Sequence, residues 1–274
     1  MHEHFWAAFG LTVLAGLSTG IGSAIAFVVK GRNFNFLTVS MGFAAGVMLY
    51  VSFMEIFPHA LAHLDHSHSR HWGVLAFFGG MILVALIDKM IPHEENPHEL
   101  MTEEELDEQE PGQLERQNSK NGKLMRVGLL TALALALHNF PEGMATFVAA
   151  LEDPSLGLTI GLAIALHNIP EGIAVSMPVY YATGSKSKAF WYSFLSGVVE
   201  PVGAILIFAL FGNALDETVM SILLAGVAGI MVFISLDQLL PSARDYGAHH
   251  LSIYGMLAGM AVMAVSLLML GHAH

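Results

Sequence analysis

Two short strings, His138-Asn139-Phe140-Pro141-Glu142-Gly143 and His167-Asn168-Ile169-Pro170-Glu171-Gly172, concentrate the reactive side chains of this sequence. Each supplies an imidazole, an amide and a carboxylate within five residues. On a helix, positions i and i+4 share a face, so His138 lies over Glu142 and His167 over Glu171, with Cβ atoms roughly 5–6 Å apart. One ion can touch both members of such a pair. Pro141 and Pro170 each remove an i→i−4 hydrogen bond, which frees the carbonyls of Leu137 and Leu166 and bends the helix at the motif. A further acid, Glu200, directly precedes Pro201 and is the only charged residue in its apolar stretch. Together these imidazoles, carboxylates and amides form a mixed nitrogen and oxygen environment. It suits Zn²⁺, Fe²⁺, Mn²⁺ or Co²⁺ better than Ca²⁺ or Na⁺. Two divalent ions would set four positive charges against three negative ones, so a two-metal site is electrostatically reasonable.

The elements that must position these residues are membrane spans. Hydrophobic residues make up 54% of the chain and charged ones only 12%, which excludes an ordinary water-soluble domain. Apolar segments of spanning length occur at about 5–29, 35–60, 72–91, 125–149, 157–182, 190–211, 219–240 and 252–271. The expected fold is therefore an all-α polytopic membrane protein with eight transmembrane helices, forming one domain over 1–274. The first segment lacks a basic leader and a small-residue cleavage pattern, so it reads as a retained helix. Both His-Asn-x-Pro-Glu-Gly motifs fall near mid-span, in spans four and five. Ionisable groups at that depth are costly and by default mark an ion or substrate pathway. The ordinary alternative, polar groups that merely glue helices together, accounts poorly for a duplicated motif with a third buried acid.

Topology follows from the cations. With eight spans, Lys30, Arg32, Lys89, Arg116, Lys120, Lys123, Arg126, Lys186, Lys188 and Arg244 share one side of the membrane, and Arg70 alone falls on the other. The cation-rich side is cytosolic, which leaves both termini outside. The net charge of −12 belongs mostly to a polar loop at 92–124, where ten of the 23 acids lie between Glu94 and Glu115. That cytosolic segment has little periodicity and reads as disordered. There is no cysteine, which excludes disulfides and thiolate metal sites and disfavours a soft-metal carrier for Cu(I).

The chain also resembles itself. Ala45 through Ala60 aligns without a gap with Ala228 through Ala243, pairing Glu55 with Gln238, Pro58 with Pro241 and His59 with Ser242. Gly16 and Gly22 of span one fall opposite Gly197 and Gly203 of span six. A three-helix unit thus occurs twice, inverted, in spans 1–3 and 6–8, around the central pair of spans 4 and 5. Inverted repeats with polar, proline-containing helices at the midplane are a recurrent design of secondary transporters, because exchange of conformation between halves produces alternating access.

Peripheral polar residues carry weaker signals. His59, His63, His66, His68 and His71, with Asp65, crowd the outer loop after span two, as a metal-gathering entrance would require. His2, His4, His272 and His274 share that face but are terminal. His93 and His98 lie in the acidic loop, where they could receive or sense a released ion. Glu55 and Asp237-Gln238 stand at repeat-related positions toward opposite ends of spans two and seven. The frequent methionines are explained by packing.

On these residues, the chain resembles the Zrt/Irt-like (ZIP) family of metal transporters, in particular its bacterial zinc-uptake ZupT type. The similarity covers essentially the whole chain. It implies a binuclear metal centre whose ligands would be His138, Asn139, Glu142, His167, Asn168, Glu171 and Glu200. It implies import of zinc, and of iron, manganese, cobalt and cadmium, as transported substrates with no cofactor and no catalytic residue. It further implies a bacterial inner-membrane location, an elevator-like shift of one helix bundle against another, and often a homodimer. Where some members have Gln-Asp in span five, this chain keeps His167-Asn168. An intramembrane metal-dependent hydrolase is the alternative from another class, but the chain has no HExxH and no nucleophile beside the motif. Export is the other alternative, since ligand chemistry is indifferent to direction.

Overall fold

In lipid every backbone N–H and C=O must be satisfied within the chain, so apolar stretches of this length have helix as their only open form. The computed structural model describes residues 4–28, 34–64, 69–90, 132, 136, 139–211, 216–246 and 249–271. All regular structure among them is helical. The order is α1 (Phe5–Ala26), α2 (Phe34–Val51), α3 (Phe57–His63), α4 (Ser69–Met90), α5 (139–152), α6 (Pro154–Thr183), α7 (Lys186–Phe211), α8 (Glu217–Ile234), α9 (Leu240–Tyr246) and α10 (His249–Gly271). Seven of the described helical segments are long and apolar enough to cross a membrane.

Local chemistry explains the breaks. Asp153 caps α6 by accepting from the Ser155 N–H at 2.8 Å, with Pro154 in the first turn where its missing N–H costs nothing. Gly184 ends the helix at φ +65°, a left-handed conformation that suits glycine. The Asp216 side chain accepts from the Val219 N–H at the start of α8.

Ring contacts confirm alternating crossings. The Lys186 ammonium sits 5.8 Å over the Phe27 ring, and Phe34 packs against Tyr181, which puts the ends of α1 and α6 and the starts of α2 and α7 at one face. Phe5 packs on Phe147 and Phe208 at the opposite face.

The inverted repeat has a structural counterpart that composition did not suggest. α2 passes into α3 through a π-helical segment, Ser52–Ile56, and α8 passes into α9 through another, Ser235–Leu239. These are the residues that the two repeats align, and each segment is followed within two residues by the matched proline, Pro58 or Pro241. A proline cannot donate to the preceding turn, and widening that turn to i→i+5 spacing accommodates the lost bond.

The helices sort into two bundles. α1 packs against α6 and α7, with α5 closing the group, whereas α2 packs against α10 and α9, and α8 against α4 and α3. Glycines allow close approach within each bundle, as small residues do in membranes generally. Gly42 and Gly46 of α2 meet the α10 backbone at Ser252 and Met256, and Gly229 of α8 meets Phe77 of α4. Between the bundles, α2 packs against α6, and Met144 and Val148 of α5 stand beside Leu223 and Val227 of α8. Trp72, Leu75, Phe78 and Ile82 on α4, and Leu257, Val265 and Leu268 on α10, are exposed, as lipid-facing residues are. Residues 92–124, together with His2, Asp65, His66, His68, His93, His98, His272 and His274, lie outside the described residues.

Candidate metal centre

The motif helices reach the site through a pseudo-symmetric set of glycine contacts. A Cβ on Gly16 would collide with the Gly197 carbonyl, and one on Gly197 with the Gly16 carbonyl, so α1 and α7 cross backbone to backbone. The same offset along the chain relates the next contacts. Gly172 of the second motif abuts Thr19 of α1, and Gly143 of the first motif abuts Glu200 of α7. Likewise Gly22 packs on the Ile169 carbonyl and Gly203 on the Phe140 carbonyl. Each motif is therefore seated on its partner helix in the same way, once for α6 on α1 and once for α5 on α7.

The asparagines complete this seating. Asn168 Nδ2 donates to the Ala15 carbonyl at 3.0 Å, and Asn139 Nδ2 donates to the Ser196 carbonyl at 3.2 Å. Ala15 and Ser196 stand at the same offset. Each amide spends its N–H group on helix anchoring, which turns its oxygen away from the anchor. Asn168 Nδ2 also donates to Glu200 Oε1, tying the third acid to the second motif. α6 continues in α-helical register through Pro170, and α7 through Pro201.

Asn139, Glu142, His167, Asn168, Glu171 and Glu200 are all buried, none exposing more than 1% of its surface. Ligand atoms of Glu142, His167 and Glu171 lie within 4.8 Å of one another. His167 Nε2 is 3.1 Å from Glu142 Oε1, so the contact joins the two motifs across the helix pair and not along one helix. Glu200 lies within electrostatic reach of both Glu142 and Glu171. Among described groups, nothing donates a hydrogen bond to Asn139 Oδ1, Glu142 Oε2, Asn168 Oδ1 or Glu200 Oε2. Buried acceptors left this way are costly, and a divalent cation supplies the charge that such a cluster lacks. His138 lies outside the described residues.

The symmetry breaks at one place. Where the Glu200 backbone packs on Gly143 of the first motif, the matched residue on Gly172 of the second is Thr19, whose hydroxyl donates to the Gly16 carbonyl at 2.8 Å. The cluster is thus richer in negative charge on the α7 side. Sequence reasoning missed Thr19, Ala15 and Ser196. The matched Gly16/Gly197 and Gly22/Gly203 pairs were the available signal, because they set which carbonyls approach the motifs.

Comparisons with known proteins agree on the family. The profile described as ZIP Zinc transporter matches residues 4–267. The chain is 57% identical over 273 residues to a protein of Streptococcus mutans named zinc transporter ZupT, covering 98% of this chain and 99% of that one. It is 58% identical over 273 residues to the protein of that name in Clostridium perfringens, covering 96% and 95% of the two chains. The Nitratidesulfovibrio vulgaris protein of the same name is 56% identical over 266 residues, with 96% of each chain covered.

Proposed function

The chain belongs to the ZIP zinc-transporter family, and from that premise we propose that it is a secondary carrier of Zn²⁺ that moves the ion into the cytosol through the centre built by its two motifs. The family is one of carriers, and metal enters the account as substrate. The observation that carries the reading is the convergence of three carboxylates, an imidazole and two amides at one fully buried locus within the spans. Three acids without a neutralising cation are expensive in lipid, so their convergence is intelligible as the resting place of a cation.

The ligand set we propose is His138, Asn139, Glu142, His167, Asn168, Glu171 and Glu200. Its oxygen and nitrogen donors, with no thiolate, extend the substrate range to Fe²⁺, Mn²⁺, Co²⁺ and Cd²⁺. The crowding of acids on the α7 side supports two adjacent ion positions, the tighter near Glu142 and Glu200. The location is the bacterial inner membrane, with both termini outside and 92–124 an acidic cytosolic loop. Two internally glycine-locked bundles favour movement of one bundle past the other, which would carry the centre from one face to the other. Two copies of the chain assemble as a homodimer.

The test is zinc uptake into proteoliposomes containing a metal-sensitive dye. Wild type is expected to give saturable flux that Mn²⁺ and Cd²⁺ compete with, and Glu171→Gln is expected to abolish it at equal reconstitution. Folded wild-type protein that passes no divalent ion would contradict the proposal.

A further inference from the structure

Beyond the central motifs, one other group of metal-ligating side chains converges. α3 follows the π segment of the second span and carries His59 and His63, one turn apart, with ring centroids 4.1 Å from each other. Across from them stands Glu152, the last residue of α5. The tight α5–α6 turn holds it there. The Asp153 N–H donates to the Ala149 carbonyl at 2.8 Å, the Gly157 N–H donates back to the Asp153 carbonyl at 2.9 Å, and Gly157 lies flush against Ala150.

His59 Nε2 is 3.7 Å from Glu152 Oε1, and ligand atoms of His59, His63 and Glu152 all fall within 4.8 Å of one another. Neither Glu152 oxygen accepts a hydrogen bond from a described group, although both are buried, and buried His59 Nε2 has no hydrogen-bond partner either. His63 Nδ1 is 3.0 Å from the His59 carbonyl. Donation there fixes the tautomer that leaves Nε2 with its lone pair, the usual outer support of a metal-ligating histidine. Tetrahedral zinc with bonds near 2.0–2.1 Å needs ligand atoms roughly 3.4 Å apart, so closure by about an ångström completes three of four positions. Water would take the fourth.

We infer that His59, His63 and Glu152 form a second, peripheral divalent-metal site that bridges the second and fourth spans at the mouth opposite the cation-rich face. Two features make it a one-sided device. The repeat places Ser242 where His59 stands, so the matched position at the other face has no imidazole. Glu55, within electrostatic reach of His59, lies one step inward along the same span. Glu152 is ten residues from Glu142 on one helix, about 15 Å. The site is open enough to exchange, with His63 exposed and His59 partly so. Its role as a capture station for the central site rests on the carrier reading above, whereas its capacity to bind metal does not.

The experiment uses the full-length chain with its central acids neutralised, Glu142→Gln, Glu171→Gln and Glu200→Gln, titrated with Co²⁺ and followed by visible absorption. One Co²⁺ per chain with an imidazole-type spectrum is expected to remain, and to be lost when His59→Ala or Glu152→Gln is added. No retained ion, or an ion indifferent to those additions, overturns the site. Should the neutralised chain fail to fold, carbethoxylation of the wild type mapped by mass spectrometry decides. Zn²⁺ should slow modification of His59 and His63 several-fold while His250, at the other face, reacts as before. Unprotected His59 and His63 would overturn the site as well. Neither readout needs flux, so failure of the carrier reading registers separately. In flux, His59→Ala with His63→Ala should raise KM several-fold and act less on the maximal rate, and an unchanged KM overturns the capture role.

Discussion

Replacing Gly16 with alanine tests how the centre is assembled. At this position the added methyl would lie well inside van der Waals contact of the Gly197 carbonyl, 3.2 Å even from its carbon. Carbon and oxygen at rest stand about 3.5 Å or more apart, so α1 and α7 must part by roughly an ångström. Overpacking of this kind costs about 1–3 kcal/mol. Helix propensity returns up to about 1 kcal/mol, since alanine is the better helix former. The net loss is then on the order of 1 kcal/mol, a drop of about 2–4 °C in melting temperature for a chain of this size. Transport should suffer far more than stability. Gly197 neighbours Ser196, which accepts from Asn139, and lies one turn before Glu200. Misplacement by about 1 Å at a site of this kind can cost about 100-fold in rate. Gly10 is the control: it lies on the same helix with nothing within 4 Å of its added Cβ. Gly10→Ala should transport normally and melt no lower than wild type. Flux into proteoliposomes and detergent melting curves give both quantities. If Gly16→Ala transports as well as Gly10→Ala, the crossing does not position the centre and the reasoning fails.

Glu142→Gln, Glu171→Gln and Glu200→Gln should each reduce zinc affinity, measured by calorimetry, by more than the roughly 10–100-fold that loss of an outer-shell partner costs. Asn168→Ala, which unseats α6 from the Ala15 carbonyl and strips Glu200 of its donor, should weaken zinc more than Asn139→Ala, whose only described donation is to Ser196. Thr19→Glu restores the missing symmetry by placing a carboxylate at the position matched to Glu200. It is expected to tighten binding while slowing release, read as a lower KM with a lower maximal flux.

Much of this arrangement was legible in the residues. For the described helices, apolar runs located the spans to within a few positions, because lipid leaves an apolar stretch of that length no alternative to helix. The paired motifs pointed to the buried cluster for the same reason, since His167 and Glu171 have no business in hydrocarbon without a task. The match of Ala45–Ala60 to Ala228–Ala243 foretold that Ser52–Ile56 and Ser235–Leu239 would share a conformation, though not that it would be π-helical. Pairing across helices was out of reach. Spacing sets which side chains share one helix face, but the 3.1 Å contact of His167 with Glu142 depends on how α5 and α6 sit against each other. The anchoring of Asn139 and Asn168 on carbonyls of Ser196 and Ala15 was hidden likewise, because every residue has a carbonyl and only the helix crossing selects one. Glu152 gave no signal at all in sequence. It reads as a loop acid until the turn at Asp153-Pro154 brings it to His59.

The most direct test of the central claim is anomalous diffraction at the zinc absorption edge from crystals of the full chain grown with Zn²⁺. Density is expected among Glu142, His167, Glu171 and Glu200, and should be lost in Glu171→Gln crystals. Zinc-loaded crystals with no anomalous density between the two motifs would contradict it.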